Sequence, residues 1–201
     1  QLCVFMLGLS NKAFLSLFKI DTAEIGIYAI ATIFGAMVGG FSYGASYYTQ
    51  PQLYKAFKQD GVSYQVFKPH LIRFIKLLSF ITVGCVITVL VLYYFFINKL
   101  YIKGMGYFFV GAAASYLWAI NNFYFQVLIY SKWNRKMLHL TLCSLLLSFS
   151  IRYTLVKYWG IWGDAWSTLL CTLVFSGLIF IFLNKFIGSK NGNRTAEIPG
   201  I

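Results

Sequence analysis

Read for its alternation of apolar and polar positions, the chain divides into six apolar segments, at about 1–18, 25–50, 71–97, 107–131, 137–158 and 161–187. Short polar connections separate them, apart from a longer one at 51–70, and a polar tail follows at 188–201. The second segment has no charged residue from Ile25 to Thr49. Within it Gly35, Gly39, Ser42, Ser46 and Gln50 recur at steps of four, three, four and four, which puts them on one helical face. At about 1.5 Å per residue a helix of this length crosses a bilayer with some tilt. Gly35-x-x-x-Gly39 and Gly40-x-x-x-Gly44 are helix-packing candidates, because a bare Cα lets a second backbone come close. Pro51 is expected to end this helix.

Composition narrows the class. With 59% hydrophobic residues, 20 Phe and 15 Tyr among 201 residues, and a mean hydropathy of +0.70, the chain reads as an all-α integral membrane protein. Its +12 net charge is not a nucleic-acid signature, since the charges sit between apolar runs rather than on one solvated face. Eleven Lys and Arg fall on one side of the six segments, among them Lys55, Lys58, Lys68, Arg73 and Lys76, and five on the other. The richer side is assigned to the cytoplasm, so the first segment runs outward and the C-terminus lies inside. The four cysteines form no C-x-x-C pair and both histidines stand alone, so neither a metal nor a cofactor is expected. The chain opens on Gln1, inside an apolar run without a basic leader, and is expected to be a piece of something longer.

Enzymatic chemistry has little to build on. No two carboxylates share an apolar segment, no Ser, His and Asp cluster, and no phosphate-cradling glycine loop occurs. Polar stripes are present instead. Thr141, Ser144, Ser148 and Arg152 step by three, four and four; Ser115, Asn122 and Gln126 step by seven and four, with Asn121 beside them. Arg152 lies six residues before Tyr158, and Asn11 and Lys12 lie in the first segment. Ionisable side chains at such depth face a cavity or snorkel to the interface; serines and threonines in membrane helices often bond only their own backbone.

The order of these features resembles a known family. Asn11-Lys12-x-x-Leu15 followed by Ala23-Glu24-Ile25-Gly26-Ile27-Tyr28-Ala29-Ile30-Ala31, then Pro51-Gln52-Leu53-Tyr54-Lys55, then the Gly160-Ile161-Trp162-Gly163-Asp164 turn, resemble the C-terminal half of polysaccharide-biosynthesis flippases. These are O-antigen-type members of the multidrug/oligosaccharidyl-lipid/polysaccharide exporter superfamily. The resemblance implies six transmembrane helices, seven to twelve of the whole, forming one lobe of a MATE-like transporter fold in the bacterial inner membrane. It implies a transporter rather than an enzyme, which moves an undecaprenyl-diphosphate-linked oligosaccharide by alternating access against an N-terminal lobe, in membrane lipid and beside polysaccharide polymerase machinery. Lys12 and Arg152 are then expected to form a cationic substrate pathway, with Asn11, Tyr43, Asn122 and Gln126 as its polar members. The chain departs from the family pattern where it has Asn11-Lys12 in place of an acidic–basic pair, Arg152 where Asn is common, and Asp164 where a small residue is common. The alternatives are a multidrug exporter of the same superfamily, with intramembrane acids, and a membrane-embedded polysaccharide-assembly enzyme or scaffold.

Overall fold

The computed structural model describes Leu15, Phe18 and residues 20–191, and only the backbone of residues 134–137 and 184–191. The described residues are helical, with no strand among them: α1 (Thr22–Asp60), α2 (Tyr64–Phe95), a 3-10 turn (Lys99–Gly104), α3 (Met105–Tyr130) and α4 (Asn134–Asn191). Gly160 interrupts α4 with φ 55° and ψ −131°, a conformation that glycine reaches without steric cost, and the chain turns back there. The arms of α4, 134–159 and 161–191, are therefore antiparallel neighbours. From the second on, the expected segments correspond to α1, α2, α3 and these two arms; the first falls almost wholly outside the described residues.

Three helical stretches, Thr22–Asp60, Tyr64–Phe95 and Leu138–Leu183, are long and apolar enough to cross a membrane, and the last contains the Gly160 turn. α3 has the length but not the apolarity, because Asn121, Asn122, Gln126 and its tyrosines dilute it. Its position explains why this is tolerated. It is the central helix, packed on α1, α2 and α4. Polar groups there meet protein rather than lipid.

α1 shows how the pattern makes the packing. Its buried residues, Tyr28, Ala31, Gly35, Val38, Ser42, Ala45, Thr49, Leu53 and Phe57, advance by three or four and form one continuous stripe. The stripe lies on α3 in parallel. Gly104 meets Ile27, Gly111 meets Gly35, and Ser115 meets Gly39. A Cβ on Gly35 would sit 3.0 Å from the Gly111 carbonyl carbon, so an added methyl would have to push the two backbones apart. α2 runs the opposite way, with Tyr93 against Phe34 and Phe74 stacked on Phe123 of α3 at 4.5 Å. The second arm of α4 follows α3 in parallel, through Tyr107–Trp162, Phe125–Phe175 and Trp133–Phe182. Successive helices thus alternate in direction.

Two expectations are corrected. Pro51 does not end the helix: α1 continues to Asp60, and α2 begins at Tyr64 with Pro69 inside it. The 51–70 connection shrinks to a turn, in which Gly61 at φ 77° returns its N–H to the Phe57 carbonyl and Ser63 caps α2 through the Val66 N–H. Proline removes one ladder bond, here the one to Tyr47, whose side chain is 76% exposed and whose helix face is open. Past that point Leu53 and Phe57 are fully buried in a cluster with Phe67, Leu71 and Phe74, and this burial holds the helix on course.

Candidate functional site

The site is made by the turn in α4. Gly163 rests directly on the Leu155 carbonyl, where any Cβ would overlap it, so the two arms pack closely just past Gly160. That closeness brings Arg152 on the first arm to Asp164 on the second, with Arg152 Nε 3.0 Å from Asp164 Oδ1 and the side chains 6% and 0% exposed. The Nε–H itself is directed at Ser167 Oγ, 3.5 Å away, and Nη2 donates to Thr168 Oγ1 at 3.1 Å. Asp164 Oδ1 consequently faces the cation without an aligned hydrogen bond. The other oxygen, Oδ2, accepts from Tyr28 Oη at 2.6 Å, a short charge-assisted bond that ties α1 to α4. A carboxylate this deep requires both partners, since an unpaired one would lose its hydration without compensation.

Beside this cluster lies a cavity of about 460 Å³ between α1, α3 and the two arms of α4. Thr141, Ser144, Ser148 and Arg152 line one wall, as their three-four-four spacing implies. Thr32 of α1 and Ser115 of α3 supply hydroxyls opposite, and the rest of the lining is mainly apolar and aromatic. The exposed Ile33 stands at its edge. Several of the hydroxyls also bond backward along their own helices, Ser144 to the Thr141 carbonyl and Thr172 to that of Thr168. Their oxygens remain acceptors for a ligand. The arrangement offers many weak hydrogen bonds, and a cation already balanced by an anion.

The residues singled out from the sequence fall in different places. Arg152 is in the cavity wall and buried, rather than snorkelling. Asn11 and Lys12 lie outside the described residues. Tyr43 is 52% exposed on α1 and is not in the cavity lining. Asn122 is half-buried and also outside that lining. Gln126 accepts from Tyr54 Oη at 2.7 Å, and Tyr54 Oη accepts from Gln50 at 3.1 Å, a chain that joins α1 to α3. Gly35 and Gly39 pack on α3, while nothing lies within 4 Å of a Cβ placed on Gly40 or Gly44. Among the described residues no three His, Cys, Asp or Glu side chains converge as metal ligands.

Sequence reasoning missed Asp164 and Tyr28. Asp164 lies one turn past Gly160, and its side chain is fully enclosed there. The sequence shows two opposite charges, Arg152 and Asp164, on either side of Gly160, but nothing in it brings them into contact. Tyr28 carried no signal beyond its place in the buried stripe. Compared with family models, with curated proteins and with solved structures, the chain finds no match.

Proposed function

We propose that the chain forms one six-helix lobe of a membrane transporter, a flippase for lipid-linked oligosaccharide in the bacterial inner membrane. The observation that carries this reading is the cavity: hydroxyls from three helices converge in otherwise apolar surroundings beside a buried Arg152–Asp164 pair. Scaffolding does not need such a space, whereas a sugar-bearing cargo does. Hydroxyl and aromatic walls exchange hydrogen bonds and stacking with sugar rings, and a transporter must hold its cargo weakly enough to release it. Pairing with Asp164 changes the part given to Arg152. Its charge is offset, so it presents a neutral, hydrogen-bonding wall rather than a trap for diphosphate. Segment 1–18, α1, α2, α3 and the two arms of α4 are the six spans in this reading. Lys55, Lys58, Lys68, Arg73 and Lys76 mark the cytoplasmic end, and the C-terminus lies on that side. An N-terminal lobe of the same protein is the partner against which this one would rock.

The buried Asp164 favours one second reading, a multidrug exporter of the same superfamily, for which an intramembrane acid is expected. One experiment separates the two. The gene is deleted in its host, and both surface glycan and susceptibility to amphipathic cations are measured, with complementation by wild type and by Ser144→Phe, which fills the cavity. Loss of glycan restored only by wild type supports the flippase. Intact glycan with raised drug susceptibility supports the exporter. No change in either measurement sinks the transport reading.

A further inference from the structure

The basic end of the α1–α2 hairpin carries a cluster that the cavity does not involve. Arg73 of α2 reaches across to α1, where Nη1 donates to Gln52 Oε1 at 2.9 Å and Nη2 to Tyr48 Oη at 3.1 Å. Its guanidinium carbon lies 5.6 Å from the centre of the Tyr48 ring. Both acceptors are neutral, so the guanidinium is fixed in place while its charge is not cancelled. Two of its N–H groups are engaged this way and the rest remain open to a ligand. Lys76 stands one turn further along the same face of α2, and Lys55 one turn beyond Gln52 on α1, both exposed. Asp60 is the one acidic residue among 51–80, and among the described residues none of these three cations forms an ion pair.

The face that continues from this cluster towards the middle of the helices is apolar and open. From Lys76 the exposed ridge of α2 runs through Phe80, Val83 and Ile87, which are 80%, 58% and 57% exposed. On α1 the turn before Tyr48 is Gly44, where nothing lies within 4 Å of an added Cβ. A fixed cationic fork therefore sits at the head of an unfilled apolar track. We propose that this hairpin end is a binding site for one anionic phospholipid, whose phosphodiester sits on Arg73 with Lys76 and Lys55, and whose acyl chain lies along Gly44 and Phe80. A planar guanidinium held in advance suits a phosphate bidentately, and the apolar track selects a lipid over a free phosphate. The inference uses only the placement of these helices in a membrane. The glycan assay can fail without touching it, and the reverse holds as well.

The test is lipid retention by the full chain purified in neutral detergent, titrated with phosphatidylglycerol or phosphatidylcholine and counted by native mass spectrometry. Wild type is expected to retain phosphatidylglycerol in preference. Arg73→Gln should weaken retention about five-fold, and Arg73→Gln with Lys76→Gln by the square of that, at about 1 kcal/mol per basic residue near a membrane surface. Lys99→Gln, an exposed cation at the opposite end, should change nothing. Should the Arg73 variants not fold, Lys55→Gln with Lys76→Gln, which removes no described hydrogen bond, is expected to give a loss of the same kind. Equal retention of the two lipids overturns the proposal. So does an equal fall in Lys99→Gln, which would make the effect one of net charge, or displacement of bound phosphatidylglycerol by inorganic phosphate alone.

Discussion

Removing the charge of Asp164 while keeping its shape, by Asp164→Asn, strands a guanidinium that is 6% exposed. Breaking one side of a buried ion pair costs about 3–5 kcal/mol, and the enclosure of both partners leaves no solvent screening to soften it. Arg152→Met makes the reciprocal error and strands the carboxylate, with the Tyr28 bond at 2.6 Å as its remaining support. The double variant has no charge to strand. It loses the hydrogen bonds of Arg152 to Ser167 and Thr168 and weakens that of Tyr28, about 1–3 kcal/mol together. The single costs therefore do not add, and a coupling of about 3 kcal/mol or more is expected across the cycle. Unfolding of the purified protein by dodecyl sulfate in mixed micelles, followed by loss of helical circular dichroism, measures all four corners. Additivity within about 0.5 kcal/mol would show that the pair is not coupled in the folded protein and would refute the site as described.

Three more outcomes follow from the same structure. Gly163→Ala forces a methyl into the Leu155 carbonyl and should abolish folded protein in detergent chromatography, whereas Gly26→Ala, with nothing within 4 Å, should elute as wild type. Phe74→Ala empties the place of a ring that is 0% exposed and stacked on Phe123, and should cost about 3–5 kcal/mol in the same unfolding assay. If the proposed flippase function holds, Ser148→Leu, which adds bulk to the cavity wall, should lower glycan export at unchanged protein level; full export would exclude this cavity as the route.

Among the described residues hydropathy located the helices but not their ends, because the two depend on different forces. An apolar run stops where side chains would leave hydrocarbon, yet the backbone ladder continues while any face has something to bury against. Leu53 and Phe57 carry α1 past Pro51 for this reason, and Phe67 lets α2 start at Tyr64, before the run at 71. The stripe of Thr141, Ser144, Ser148 and Arg152 was legible because all four share one helix, and spacing alone places them on one face. Asp164 was not, since its partner is fixed by how tightly the chain folds back over Gly163. Asn122 and Gln126 show the same limit: their spacing was right for a shared face, but what that face meets depends on the neighbouring helix. There the buried side chain is Asn121, whose Nδ2 reaches the Thr172 carbonyl at 3.4 Å.

The tightness of the turn at Gly160 also bears on how the protein enters a bilayer during synthesis. A first arm inserted alone would carry the Arg152 charge into hydrocarbon, at about 2.5–3.5 kcal/mol if it reached the centre of the span. The second arm alone would do the same with Asp164. Joined by so short a turn, the arms can enter as one hairpin whose charges cancel as they leave water. Entry as a hairpin would require the ribosome to have completed both arms before either is released laterally. A chain stalled between Gly160 and Asp164 should leave its first arm at the interface, waiting for its counter-charge.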